Sequence, residues 1–131
     1  MKYEYIQKVY FNKEITDRPL DDYGDRLGRF CTIVMKKVDH QEGRKKRICE
    51  MLTCIMKLMG YPDDISHENF SGNLEINHCW ISEDDAKIHI QHKYWNGHEM
   101  KLFCDITEAL GKYLHFETEY LSAEKMRSIG A

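Results

Sequence analysis

The feature that most constrains the fold is an amphipathic segment over residues 42–59. Apolar side chains recur there with the period of one face of an α-helix; they are Ile48, Met51, Leu52, Ile55, Met56 and Met59. Gly60 and Pro62 follow directly and predict the end of this helix. Because a helix with one apolar face must bury that face against another layer, the rest of the chain is expected to supply a sheet.

Segments on both sides of this helix alternate polar and apolar residues or are rich in β-branched residues, as strands are. The predicted strands are 2–13, 29–38, 73–82, 86–94, 100–105 and 116–121, with loops at 16–27 and 61–72. A second helix is predicted over 108–114 with Thr107 as its N-cap, after a turn at 95–97, and the tail is predicted to be a frayed helix. The predicted fold class is therefore α+β, an antiparallel sheet with two main helices packed on it.

Composition excludes several classes of function. The net charge is −3 with acids and bases interspersed, so no general attraction to nucleic acid or to a membrane is expected. The five cysteines include no CxxC pair and are odd in number, which predicts free thiols in a reducing compartment. The N-terminus lacks the apolar core of a signal peptide, and no segment is long enough to span a membrane. We expect one cytoplasmic domain.

The strand predicted over 86–94 carries the first candidate for chemistry. Ile88 and Ile90 point to one side, and His89 points to the other with Lys87 and Gln91. His89 is therefore expected on a polar or cleft-facing side. Cys104 ends the next predicted strand, and a histidine and a cysteine on neighbouring strands can do proton transfer or nucleophilic work. The alternative is a surface histidine and a buried thiol.

Further histidines near His89 raise the question of a metal site. They are His67, His78, His92 and His98, with Cys79 as a possible thiolate ligand. However, His89 and His92 differ by an odd number along one strand and should face opposite sides. Because the chain also lacks an HxH or CxxC spacing, no metal site is expected.

Parts of the chain resemble the bacterial-type S-adenosylmethionine decarboxylases, the pyruvoyl enzymes of spermidine synthesis. Leu27-Gly28-Arg29, a strand and then Asp39 resemble the family's opening LGRH strand. Residues 81–89, ISEDDAKIH, are similar to the family's ISESHLxIH block, and Cys104 follows at the family's distance. The resemblance covers residues 27–121. It implies a decarboxylase-like domain at 27–131 behind an N-terminal extension of strand and loop at 1–26.

In the family that the chain resembles, the polypeptide cuts itself before the second serine of ISES, and that serine becomes the pyruvoyl group that acts as the electron sink. The resemblance implies that Asp84 takes the position of this serine, His89 that of the processing histidine and Cys104 that of the residue that protonates the product. A carboxylate can neither form the ester nor eliminate, so no pyruvoyl cofactor is expected. Ser82 is the only nearby hydroxyl substitute. Ligand-binding positions are predicted at Glu83, Gln91 and Tyr94.

Three functions follow as hypotheses. The first is a protein that does not self-process and binds S-adenosylmethionine or a related nucleoside, as a regulator, a sequestering protein or an inactive subunit. The second is a lyase or hydrolase acting on a sulfonium nucleoside with Asp84, His89 and Cys104. The third is an interaction module without a small ligand, such as a phage-encoded inhibitor, whose tyrosine-rich N-terminal strand pairs with a partner's sheet edge. The resemblance also implies a homo-oligomer joined at sheet edges. Residues 1–26 have no counterpart in the family and are expected to add an edge strand or an arm that covers a neighbouring subunit.

Overall fold

The computed structural model describes residues 6–15, 31–35, 41–66, 73–76, 79–84, 87–92 and 95–129. The elements are β1 (Ile6–Asn12), a short 3-10 helix (Lys13–Ile15), β2 (Cys31–Met35), α1 (Gln41–Leu58), β3 (Asn73–Ile76), β4 (Cys79–Asp84), β5 (Lys87–His92), α2 (Gly97–Leu114), β6 (Glu117–Leu121) and α3 (Ala123–Ser128). The predicted α+β class is confirmed. The loop predicted at 16–27 lies outside the described residues.

The six strands form one sheet in the order β3-β4-β5-β2-β1-β6. All neighbours are antiparallel except β1 and β6, which run parallel. The sheet is therefore mixed, and the prediction of a wholly antiparallel sheet is wrong at this pair. β6 follows α2, and a helical crossover of this kind is what allows a strand to enter a sheet parallel to its neighbour.

The N-terminal strand β1 is an inner strand, hydrogen-bonded to β2 on one side and to β6 on the other. The expectation of an edge strand at the N-terminus is wrong for this reason. Both of its backbone edges are used, so β1 offers no free edge to a partner. Residues 6–12 instead pair with both β2 and β6, and so connect the C-terminal strand β6 to the rest of the sheet.

The largest departure from the sequence-based prediction is α2. One helix, Gly97–Leu114, takes the place of the predicted strand at 100–105, starts at the last residue of the predicted turn at 95–97 and contains the helix predicted at 108–114, which is confirmed. Asn96 caps it: its side chain accepts a hydrogen bond from the Glu99 amide at 3.0 Å, and the Glu99 carboxylate accepts one from the Asn96 amide. Thr107 is not a cap but lies mid-helix, where its hydroxyl donates to the Phe103 carbonyl at 2.7 Å. A short apolar run such as 102–104 fits a strand or a buried helix equally well.

The end of α2 leads directly into β6. His115 takes the left-handed conformation with φ 64°, and the Phe116 amide donates to the Gly111 carbonyl at 2.9 Å. A Cβ at Gly111 would lie 2.8 Å from the Phe116 carbonyl oxygen. Only glycine allows this close approach of helix and strand. The predicted strand at 73–82 is also two strands, β3 and β4, which pair as a hairpin.

Helices α1 and α2 cover one side of the sheet, which we term the helix-covered face. Its inward strand residues are Val9, Phe11, Cys31, Ile33, Cys79, Ile81, Ile88, Ile90 and His92, all buried. The predicted stripe of α1 is confirmed as buried from Ile48 to Met56 and partly buried at Met59. Phe103 of α2 meets Phe11 edge-on at 6.4 Å between ring centroids. Among the described helices, none combines the length and apolar composition that a membrane crossing needs.

Candidate functional site

The opposite side of the sheet, which we term the polar face, carries one polar residue from each strand in a continuous row. Reading across the sheet, the register aligns Asn73, Ser82, His89, Thr32, Tyr10 and Glu119. This arrangement follows from strand alternation, because residues two apart share a face. The sequence places a polar residue at this register position in all six strands. We term this set the polar row.

The centre of the polar row is buried and hydrogen-bonded. Thr32 and His89 are exposed by 0% and 1% respectively. The Thr32 hydroxyl and His89 Nδ1 are 3.1 Å apart and share a hydrogen bond. Ser82 and Tyr10, on either side of this pair, are half-buried, and Glu119 at the edge is exposed. A buried polar group that water cannot reach needs a hydrogen-bond partner within the protein. The Thr32 hydroxyl is such a partner for His89 and holds the imidazole ring in this orientation.

Part of the cover over the polar row comes from the C-terminal segment. α3 contacts β1 and β6, and its Met126 is buried. The Lys87 ammonium, on the polar face beside His89, donates to the carbonyl of Ile129 just after α3. The chain therefore crosses the polar face after β6. His89 lies on the predicted polar side of its strand, and its side chain is buried there.

Trp80 and Gln91 form the open flank of the polar row. They pair directly in the register, one step along from Ser82 and His89. The Trp80 side chain is 43% exposed and Gln91 is half-buried. An exposed indole beside amide and hydroxyl groups is a surface that can stack on a planar base and hydrogen-bond its edge.

Cys104 does not join this site. It lies on α2 among the buried residues of the core, and its neighbour Tyr120 packs on Phe11 of the helix-covered face, with 5.2 Å between the ring centroids. Burial raises the pKa of the Cys104 thiol to about 12. His89 and Cys104 therefore lie on opposite faces of the sheet, and the predicted proximity of these two side chains is wrong. The helix in place of a strand at 100–105 is the physical cause.

The other predicted positions belong to the β4–β5 hairpin. Asp84 pairs with Lys87 in the register and Glu83 pairs with Ile88. Asp84 is thus two positions along β4 from Ser82, which pairs with His89. The third predicted ligand-binding residue, Tyr94, lies outside the described residues, as do His67 and His78.

A second histidine–cysteine pair, which sequence reasoning missed, lies on the helix-covered face. Cys79 Sγ and His92 Nδ1 are 3.1 Å apart. Trp95 stacks on the imidazole with 4.0 Å between ring centroids, and Phe103 meets it edge-on at 4.6 Å. Burial lowers the pKa of His92 to about 3 and raises the pKa of Cys79 well above its ordinary value. Both groups are neutral, so the pair stabilises the core and supplies no thiolate nucleophile.

A groove of about 330 Å³ lies beside α1 and the segment that follows it. Its lining is formed by Lys46, Cys49, Glu50, Thr53, Asp64 and Ile65. Tyr61, at the end of α1, stacks on Trp95 of the core at 5.8 Å, so this helix packs on the helix-covered face. The core therefore separates the groove from the polar row.

In the part of the chain that the structure describes, no three His, Cys, Asp or Glu side chains lie close enough together to bind a metal ion. Comparison of the chain with known protein families, with curated proteins and with solved structures gives no match. The geometry of the polar face is therefore the observation from which a function has to be argued.

Proposed function

We propose that the chain binds S-adenosylmethionine or a related nucleoside on the polar face of its sheet and does not cut itself. The observation that carries this proposal is the exposed indole of Trp80, which pairs with Gln91 on the flank of the polar row, one register step from Ser82 and His89. An indole face can stack on adenine or hold a sulfonium cation, and the amide and hydroxyl groups can orient the ligand.

The resemblance of residues 81–89 to the ISES block supports the choice of nucleoside. That block contributes Ser82 to the polar row, and its histidine position is His89, at the centre of the row. The carboxylate of Asp84 replaces the hydroxyl that self-cleavage needs, so binding without processing is the expected outcome. The roles of regulator, sequestering protein or inactive subunit all require this same binding step, and a cytoplasmic location stays a prediction.

Binding is tested by calorimetric titration with S-adenosylmethionine, S-adenosylhomocysteine and adenosine. A Trp80→Ala variant should bind at least about fivefold more weakly, because loss of one base–aromatic stack costs about 1–3 kcal/mol. Leu58→Ala is the matched control, since Leu58 is an exposed apolar side chain on α1 and should leave affinity unchanged. Equal affinity of S-adenosylmethionine and S-adenosylhomocysteine would assign recognition to the nucleoside and not to the sulfonium. No binding of any of the three overturns the proposal.

Processing is tested separately by intact mass spectrometry of the purified protein. A single chain with the mass of all 131 residues is expected. Two fragments, one of them starting with a ketoacyl group, would show that Ser82 is processed and would overturn this part of the proposal.

A second candidate function, turnover of a sulfonium nucleoside, is favoured by the hairpin register. The pairing of Ser82 with His89 puts Asp84 two positions away on the adjacent strand, so a carboxylate and an imidazole belong to one end of the hairpin. Incubation with S-adenosylmethionine followed by product analysis separates turnover from binding. Release of an adenine-containing fragment that a His89→Gln variant no longer produces would establish lyase or hydrolase activity. If S-adenosylmethionine is recovered unchanged, the protein binds it without turnover.

A further inference from the structure

Helix α2 has two apolar surfaces: one is buried in the core, and the other is largely exposed. The core surface consists of Gly97, Met100, Phe103, Cys104, Thr107 and Gly111, all buried. The second, which we term the outer seam, consists of three exposed residues, Leu102, Ala109 and Tyr113, and of Ile106, which is half-buried and also packs against the core. Leu102 is 43% exposed and Tyr113 is 80% exposed. In contrast, the apolar stripe of α1 is buried in the core of the same chain. Burial within the chain therefore does not account for the exposed apolar residues of the outer seam.

The spacing of the outer seam is that of a coiled-coil seam. Its members are separated by four, three and four residues, the a/d spacing of a heptad repeat. At about 100° per residue the outer seam lies roughly opposite the core surface of the helix. The pattern also reads the same from both ends. A second α2 laid antiparallel on the first would therefore set Leu102 against Tyr113 and Ile106 against Ala109, twice over.

The charges beside the outer seam fit the same arrangement. Asp105 and Lys112 follow one another along one flank of the outer seam, both exposed. In an antiparallel pair, flanking positions of the same kind face each other, so Asp105 of one copy opposes Lys112 of the other. Two-fold symmetry produces this pair twice. Within one chain Asp105 forms an ion pair with an exposed neighbour, Lys101, at 3.3 Å, and such an exposed pair contributes little to stability.

We propose that α2 forms an isologous contact between two copies of this chain, packed antiparallel along the outer seam with Asp105 opposing Lys112. This contact lies on a helix and uses neither β3 nor β6, the two edges of the sheet. It does not depend on the proposed nucleoside binding. One helical seam is smaller than a standard interface of about 800 Å² per partner, so a reversible, concentration-dependent dimer is expected.

The first test is sedimentation velocity of the full chain over a range of concentrations. The wild-type protein should shift from monomer to dimer as concentration rises, and Tyr113→Glu should stay monomeric. Leu58→Glu is the matched control, because Leu58 is a similarly exposed apolar residue outside α2; it should dimerise like the wild type. Circular dichroism establishes that each variant is folded. A wild-type monomer at every concentration, or a dimer that Tyr113→Glu does not affect, overturns the proposal.

The second test fixes the orientation by charge reversal. Asp105→Lys alone and Lys112→Asp alone should each weaken the homodimer at least about tenfold, because each creates two like-charge pairs in a symmetric contact. An equimolar mixture of the two variants should regain dimerisation, since both charge pairs are then opposite in sign. Glu124→Lys and Lys125→Asp on α3 make the same changes of charge elsewhere and should have no effect. Failure of the mixture to associate overturns the antiparallel arrangement.

Discussion

Two histidines three residues apart on β5 are both buried, but the two faces of the sheet give them different surroundings. His92 lies on the helix-covered face, between an aromatic stack and the thiol of Cys79. His89 lies on the polar face, where the hydroxyl of Thr32 holds one ring nitrogen. The first is packed among rings and a neutral thiol, and the second belongs to a row of polar side chains and hydrogen-bonds to Thr32.

The difference shows that the two faces of one sheet can give the same residue type a structural role on one side and a candidate chemical role on the other. On the helix-covered face a histidine acts as a flat aromatic residue, and burial keeps it neutral by lowering its pKa. On the polar face a histidine is oriented by a hydroxyl and has half-buried polar neighbours on adjacent strands. We therefore place the site on the polar face and assign the Cys79–His92 pair to the core.

The largest expected effect is on stability in acid, through His92. Its pKa is about 3 in the folded chain against 6.5 in the unfolded chain. As pH falls below about 6.5, the unfolded state binds a proton that the folded state does not bind until about pH 3. The free energy of unfolding should therefore fall by about 1.4 kcal/mol per pH unit across this window, roughly 4–5 kcal/mol in total. Urea denaturation at a series of pH values measures the slope.

His92→Phe is the control for this prediction, because phenylalanine keeps a ring between Trp95 and Phe103 but cannot be protonated. The variant should lose less stability than the wild type between pH 6.5 and 3, by the amount that His92 contributes. Parallel pH profiles for the two proteins would contradict the assignment of His92 to the neutral core.

The next effect concerns thiol reactivity and tests whether chemistry belongs on the helix-covered face. Cys54 is exposed, whereas the other four cysteines are buried. In the native protein we expect one thiol to react quickly with a colorimetric disulfide reagent. The remaining four should react at least about a thousandfold more slowly, through unfolding. A Cys54→Ser variant should lose the fast phase altogether. A second fast thiol that disappears in Cys104→Ser would restore Cys104 as a candidate nucleophile.

Periodicity in the sequence predicted those elements whose pattern is long or strictly alternating. The stripe of α1 and the alternation in β5 are such patterns, and both are confirmed. The strand predicted at 100–105 failed because the apolar run at 102–104 is too short to distinguish strand from helix. The available signal was the capping box, Asn96 followed by Glu99, with apolar residues continuing at helical spacing to Gly111.

The site was harder to predict because it depends on pairings between distant segments. Alternation places His89 and His92 on opposite faces, as expected. The contact of His89 with Thr32 joins residues 57 positions apart, and the contact of Cys79 with His92 depends on the register of the β4–β5 hairpin. Nothing local in the sequence indicates that the segment after β6 returns over the polar face, where it contacts β1 and Lys87.

The smallest effect tests the link between Thr32 and His89. Thr32→Val keeps the shape of the side chain but removes the hydroxyl, so a buried imidazole nitrogen loses its hydrogen bond. We expect the free energy of unfolding to fall by about 1–2 kcal/mol. The nitrogen chemical shifts of the His89 imidazole should also change, because the Thr32 hydroxyl biases which ring nitrogen carries the proton.

Thr32→Ser is the matched variant, since it keeps the hydroxyl and removes only a methyl group. It should lower stability through lost packing, by about 1 kcal/mol, but leave the His89 nitrogen shifts near their wild-type values. The spectroscopic readout therefore separates the hydrogen bond from the packing. If the valine and serine variants change the imidazole spectrum equally, Thr32 only fills space, and the polar face would no longer differ from the helix-covered face in how it holds its histidine.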